Sequence, residues 1–321
     1  MPDIAYGGGV YMVVWMDGRF SFNYRIYAAR VTPSGSVLDP NGIPVGPANN
    51  MLHYYPAIAF DGTRFLVVWS YHTSPYTIMG RFINTDGTLS DTFVVATPTS
   101  LVSGVKIVFN GTNYFVNWLD YVTPLDVIRG LRLTTSGVPI GSPFTILSDL
   151  TNYPQNYPIA LRWDGHNYLA TGNRYVSSTY QVYGQFCSPT GTLVGSPFRI
   201  SNSSNNHSYA DMIPGANSRY LNVWSEYPGS SWDISGNLDV LIPVEEQKEN
   251  SMNKPVSLVC SIVRDAIQLD NANGIKTSIF DITGRKVGTT TNGYFSCSNL
   301  SEGVYFVSAS NSIKFKVIKV K

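Results

Sequence analysis

One strand-turn-strand unit recurs along this chain and limits what it can fold into. At Ala57–Trp69 it reads AIAFDGTRFLVVW: an apolar run, an Asp-Gly turn, a second apolar run and a closing tryptophan. Ile107–Trp118 repeats it as IVFNGTNYFVNW, Leu161–Gly172 as LRWDGHNYLATG and Ile4–Trp15 as IAYGGGVYMVVW. Asp211–Trp224, DMIPGANSRYLNVW, is the most drifted copy. Self-similarity at a period of roughly 50 residues marks a repeat architecture, in which each unit buries its apolar faces against its neighbours.

Each unit carries four strand signals, A to D. A and B form the opening hairpin, and Asp61-Gly62, Asn110-Gly111 and Asp164-Gly165 are expected to make type I′ turns, which need positive φ. Strand B is dense in Val, Leu, Tyr and Phe, as a strand buried on both faces should be. Strand C keeps a small residue (Ala28, Gly80, Gly130, Gly184, Gly236), which admits close backbone approach or a ring, with the strand-B tryptophan as the expected neighbour. A second turn at Ser34-Gly35, Asp86-Gly87, Ser136-Gly137 and Thr190-Gly191 leads into a short strand D. Four short antiparallel strands per repeat, with no helical periodicity, predict a β-propeller blade. The expected units are 1–52, 53–102, 103–155, 156–206 and 207–244, the last incomplete because Ile242 runs into Pro243 and VEEQKEN with no strand D. The fold class read from this pattern is all-β: a propeller of five recognisable four-stranded repeats, then a linker at 245–254 and a small antiparallel β-sandwich at 255–321.

Charge changes at the same boundary. Residues 1–244 hold Lys106, eleven arginines and fourteen acids, while 245–321 hold ten Lys/Arg against seven acids and end in KFKVIKVK. Only 13% of residues are charged and the net charge is +1, which argues against an electrostatic nucleic-acid partner. No run of 18 apolar residues suits a transmembrane helix, and the N-terminus has no signal-peptide pattern.

The C-terminal segment contains KTSIFDITGRKV at Lys276–Val287 and NLSEGVYFVSASNSIKFKVIKVK to the end. Ile279, Asp281, Gly284 and Arg285, then Leu300, Gly303, Val304 and Tyr305, then the basic strand from Lys314 form an ordered set. This set resembles the C-terminal sorting domain of cargo of the type IX (Por) secretion system of Bacteroidetes and related bacteria. Lys254-Pro255 stands where that family usually opens with Asn-Pro. The resemblance implies export by the type IX machinery through residues 255–321, to the outer-membrane surface or the medium. Such cargo first crosses the inner membrane by a signal peptide, so an N-terminally truncated chain, the end of a longer propeller, is the expectation. Cys260 and Cys297 either pair in that oxidising compartment or are two buried thiols.

No catalytic motif, cofactor motif or metal spacing is visible, and His53, His72, His166 and His207 read as exposed loop histidines. The candidate ligand rim lies two residues beyond each strand-B end: Asp17, Tyr71, Asp120, Arg174 and Glu226. Equivalent positions on successive blades share one rim, where they solvate strand ends, bind a ligand or, as paired carboxylates, hydrolyse a glycosidic bond. Tyr54, Tyr55, Tyr153, Tyr157 and Tyr209 lie in the D-to-A loops, to stack on sugars or to pack between blades. The leading reading is a surface binding scaffold for a glycan or protein. The alternatives are a secreted glycoside hydrolase using the rim carboxylates and a spacer or adhesin repeat without a pocket.

Deleting residues 255–321 is expected to abolish surface delivery in a host that carries the secretion system, read by surface proteolysis. Undiminished delivery would count against the sorting reading.

Overall fold

A computed structural model describes residues 2–19, 24–48, 52–72, 74–122, 124–150, 159–201, 203–215, 219–229, 231–240, 257–258, 262–263, 266–309 and 313–319. The chain divides into two compact units, 1–246 and 247–321. In the first, every sheet is a run of consecutive antiparallel strands. Blade 1 holds β1 (Asp3–Gly7), β2 (Val10–Asp17), β3 (Arg25–Val31) and β4 (Ile43–Pro44). Blade 2 holds β5 (Leu52–Phe60), β6 (Arg64–His72), β7 (Thr77–Asn84) and β8 (Leu89–Ala96). Blade 3 holds β9 (Val102–Phe109), β10 (Tyr114–Asp120), β11 (Asp126–Leu133) and β12 (Pro139–Leu150). Blade 4 holds β13 (Ala160–Trp163), β14 (Tyr168–Val176), β15 (Thr179–Cys187) and β16 (Leu193–Arg199). Blade 5 has three strands among the described residues, β17 (Asn206–Pro214), β18 (Arg219–Tyr227) and β19 (Asp233–Val240). The protein is all-β, a propeller whose last repeat shows no strand D among the described residues.

Strand B explains why the blades stack. Side chains alternate across a strand, so each β2-type strand has two apolar faces to bury. Phe65, Val67 and Trp69 of blade 2 pack back onto Met12, Val14 and Ile26 of blade 1. Leu66 and Val68 pack forward onto Tyr114, Val116 and Trp118 of blade 3. Phe115 and Leu119 then meet Tyr168 and Ala170 of blade 4, and Leu169 meets Tyr220 and Trp224 of blade 5. Trp69, Trp118 and Trp224 are joint residues, as expected, while Trp15 is half-buried outside these clusters.

The turns differ from the expectation in an instructive way. In the Asp-Gly and Asn-Gly opening turns the glycines Gly62, Gly111 and Gly165 have positive φ, while the preceding Asp61, Asn110 and Asp164 do not. Phe60 pairs with Phe65 across a four-residue loop, in which Asp61 Oδ1 accepts from the Thr63 and Arg64 amides at 2.8 Å. The acid is there for its side-chain acceptor. Two-residue turns with positive φ at both positions occur at Gly8-Gly9 and, unexpectedly, at Ser177-Ser178 between β14 and β15. The strand-C small residue does not face the tryptophan either. Gly80 pairs with Val68, and a Cβ there would lie 2.6 Å from Phe93 of β8.

The second unit holds β20 (Ser257–Leu258), β21 (Ile262–Val263), β22 (Ala266–Asp281), β23 (Lys286–Ser296), β24 (Gly303–Ala309) and β25 (Ile313–Lys319). It is the small β-sandwich, built around Ile267, Leu269, Ile279, Tyr305, Val307 and Val317. One pair departs from the antiparallel expectation: β21 runs parallel to β25. Cys297 is buried; Cys260 and the linker at 245–254 lie outside the described residues.

Gly137 tests the joint. It sits at φ +84 in the C-to-D turn of blade 3, and a Cβ would stand 2.6 Å from Phe93 of blade 2. Gly111, at φ +93, has open space around it. Gly111→Ala is expected to cost about 1–2 kcal/mol from backbone strain alone. Gly137→Ala adds overpacking of about 1–3 kcal/mol, so its denaturation midpoint should fall further; equal losses would contradict the close joint.

Candidate functional site

The rim positions follow the register of strand B. Asp17 pairs with Arg25, Tyr71 with Thr77, Asp120 with Val127, Arg174 with Gln181 and Glu226 with Asp233. All five therefore stand at the end of the blades where strand B finishes and strand C begins.

The charged four are tied down separately. Asp17 accepts from Trp15 Nε1 at 2.9 Å and from both Arg19 Nε (2.9 Å) and Nη2 (2.6 Å). The Arg19 fork, helped by the indole, holds its carboxyl well below the usual range despite partial burial. Asp120 is buried, accepting from the Ser100 hydroxyl and from Arg129 Nε at 3.3 Å. Arg174 donates to the Ser148 carbonyl at 3.0 Å, pairs with Asp149 at 3.7 Å and lies 5.0 Å over the Tyr183 ring. Glu226 accepts from Ser203 (2.5 Å) and Asn205 (2.7 Å). Burial opposes its ionisation, but hydrogen bonds from Ser203, Ser235 and Asn205 and the nearby His207 hold it at about 2.

Two histidines contradict the exposed-loop expectation. His53 and His207 are fully buried. Each occupies the strand-A position opposite a rim residue, Tyr71 and Glu226 respectively. Trp69 Nε1 donates to His53 Nδ1 at 2.9 Å, and the Tyr71 ring lies tilted against the same imidazole, centroids 4.7 Å apart. Burial and then the Arg25 charge lower the His53 pKa to about 4, so it is the neutral acceptor that the indole N–H requires. His207 lies 3.1 Å from Gln181 Oε1 and 2.9 Å from Ser203 Oγ. Burial likewise lowers its pKa. His166 is exposed and His72 is half-buried.

Two features escaped the sequence reading. The first is Asp126, at the start of β11, almost fully buried, with neither carboxyl oxygen hydrogen-bonded among the described residues. Burial, then the Asp120 charge, pushes its pKa up to about 6. The second is a run of half-buried rings at the same end of blades 1 and 2. Tyr54 contacts Tyr24 (5.7 Å), Tyr55 (5.9 Å) and His72 (4.6 Å), and His72 meets Tyr76 edge-on at 5.8 Å. A β-bulge creates it: pairing jumps from Tyr54/Ser70 to Ala57/Val68, leaving Tyr55 at φ +53. The only sequence signal is the doubled tyrosine before Pro56. Tyr153 and Tyr157, and the Tyr209 side chain, lie outside the described residues. Among the described residues no group of three or more His, Cys, Asp or Glu is placed to hold a metal ion.

In the second unit the D-x-x-G-R turn is a clamp. Asp281 Oδ1 accepts from the Thr283 and Arg285 amides at 3.0 Å, and Oδ2 from Arg285 Nε at 2.9 Å, with Gly284 at φ +84. Ile279 is in the core, Leu300 packs against it, and the Tyr305 hydroxyl donates to the Ser301 carbonyl at 2.8 Å. Gly303 has open space around it and φ +152, so it serves the backbone rather than the close approach. The Lys314 side chain lies outside the described residues.

Residues 263–320 match the family described as a secretion system C-terminal sorting domain. With the propeller before it, the chain is a repeat protein that carries a sorting tail. That tail is a type IX secretion system sorting domain, and the protein is secreted or displayed at the cell surface. Among the described residues no helix is long and apolar enough to cross a membrane. No curated protein matches the chain. Among solved structures, an endo-arabinase from Bacteroides thetaiotaomicron is 11% identical (TM-score 0.48, covering 77% of this chain and 94% of that one). A thermostable family-43 glycoside hydrolase is 8% identical (TM-score 0.46, 79% and 94%), and a levansucrase mutant of B. megaterium 8% (TM-score 0.45, 74% and 81%). Likeness at this level transfers none of those proteins' activities.

Asp126 yields a signed pH prediction. Its folded pKa is raised, so the folded state holds the proton more tightly and stability falls as pH rises from about 4 through about 6. Asp126→Asn removes that cost, on the order of 1–3 kcal/mol. The variant should melt above the wild type at pH 7.5 and the gap should close toward pH 4. A pH-independent gap would contradict the buried, unpartnered carboxyl.

Proposed function

We propose that the propeller is a carbohydrate-binding module carried to the cell surface by its sorting tail. Its binding surface is the aromatic run Tyr24–Tyr54–Tyr55–His72–Tyr76. That run is the observation that carries the reading. The rings are held half-buried by one another, so they lose little rotamer freedom on binding, and tyrosine offers an apolar face with a polar tip. The positive φ of Tyr55 is backbone strain at this surface, and such strain clusters at ligand sites. Flanking polar groups, such as the Ser103–Tyr121 hydroxyl pair at 3.0 Å, suit sugar hydroxyls.

The hydrolytic alternative needs a carboxylic acid that keeps its proton near neutral pH and reaches the glycosidic oxygen. Asp17 and Glu226 are held ionised by their donors, which suits neither a proton donor nor a strong base. Asp126 beside Asp120 has the split in acidity that such a pair uses, and this is the one observation in its favour. Asp126 is sealed from solvent, which favours binding over hydrolysis.

Binding is expected on a glycan array and by calorimetry, without release of reducing ends from the bound glycans. Tyr54→Ala with Tyr76→Ala should weaken it by about tenfold or more, roughly 1.4 kcal/mol, while the melting point shifts little. Hydrolysis of a bound glycan would favour the enzyme, and no binding to any glycan would favour a spacer.

A further inference from the structure

The polar cluster in the joint between blades 4 and 5 holds a serine, a histidine and an oriented amide in series. Ser203 lies half-buried in the loop from β16 to β17, and its Oγ is 2.9 Å from Nε2 of the fully buried His207. The other ring nitrogen, Nδ1, is 3.1 Å from Gln181 Oε1. Neighbours fix which way the Gln181 amide points. Its Nε2 donates to Thr179 Oγ1 (2.8 Å) and the Asn205 carbonyl (2.9 Å), and its Oε1 accepts from Ser201 Oγ (3.0 Å) and Arg199 Nη2 (2.5 Å). An oxygen there can only accept, so Nδ1 carries the imidazole proton and Nε2 presents a lone pair to Ser203. Burial lowers the His207 pKa, which keeps the ring in this neutral form. Glu226 Oε1 also faces Ser203 Oγ, at 2.5 Å, and lies 3.7 Å from His207 Nε2. A hydroxyl has one proton, and two acceptors compete for this one, whereas a serine that only capped the loop would need one. Arg199 is exposed beside them: its Nη2 donates to the Ser203 carbonyl, and its Nε and Nη1 have no hydrogen-bond partner among the described residues.

We propose that Ser203 is an activated nucleophile and that this cluster hydrolyses small acyl esters. Ser203 Oγ adds to the ester carbonyl carbon as its proton passes to His207 Nε2. Gln181 holds the ring in position, and the Glu226 carboxylate beside Nε2 stabilises the imidazolium so formed. The uncommitted N–H groups of Arg199 suit the carbonyl oxygen as it takes up the electron pair. When the carbonyl re-forms, the C–O bond to the alcohol breaks and His207 returns its proton to the departing oxygen. Water then repeats the sequence on the acyl-serine, releasing the carboxylic acid and restoring Ser203. Neither the aromatic run nor a bound glycan takes part in these steps.

The full chain treated with a fluorophosphonate probe should carry it on Ser203, located by peptide mass spectrometry. With p-nitrophenyl acetate as substrate, acid quenching during turnover should trap an acetyl group on the same residue. Ser203→Ala should take neither label and should lose about 100-fold or more of the hydrolysis, with an unchanged melting point as the check on folding. Gln181→Leu should lower kcat with little change in KM, because Gln181 acts only through His207. A wild type that takes neither label on Ser203 overturns the proposal, and that result needs no variant. Hydrolysis that Ser203→Ala leaves unchanged overturns it as well.

Discussion

Everything in the larger unit depends on strand B having two apolar faces. A lone hairpin buries one face at best, and a strand such as β10, buried at every position from Tyr114 to Asp120, has no stable life outside a stack. The strand ladders run within each sheet, so the stack is held by interdigitated rings and branched chains, with hydrogen bonds such as Tyr220 to Asp164 and Arg162 to the Met212 carbonyl crossing the joints. The C-to-D turn seats against the preceding blade through a glycine because the ring of Phe93 leaves no room for a Cβ at Gly137. The joint thus sets blade spacing.

The polar groups buried at the strand-B end are accommodated in different ways. Around His53, a neutral imidazole accepts the Trp69 indole proton, so an inter-blade aromatic keeps its hydrogen bond inside the core. In blade 5 the same strand position supports His207 within a cluster with Gln181, Ser203 and Glu226, where the acid finds donors enough to stay ionised. In blade 3 the corresponding acid, Asp120, takes Arg129, and the neighbouring Asp126 is left in low dielectric beside a like charge. One repeat position carries three electrostatic solutions, and the aromatic run of blades 1 and 2 occupies the same end of the sheets.

The hairpins, the joint tryptophans and the sorting tail were legible because each is local: a turn pair, a periodicity or a short ordered motif. The errors were also local in origin. Reading Asp61-Gly62 as a two-residue turn overlooked that the Asp side chain satisfies two amides, which lengthens the loop. Reading His53 and His207 as loop residues overlooked that strand A extends back past the bulge to include them. Asp126 and the tyrosine run were missed because their character comes from neighbours on other strands, Asp120 for the first and Tyr24 for the second.

By itself the sequence determined the repeat, its four-strand grammar, the boundary near residue 245 and the route to the cell surface. These follow from side-chain alternation, turn chemistry and a motif whose clamp, Asp281 on Arg285, closes within five residues. Tertiary structure decided which rim carboxylates are neutralised, which histidines are buried and which aromatics meet across blades. Those properties depend on distances between segments far apart in the chain, and dielectric, exposure and partnering exist only once the sheets have stacked.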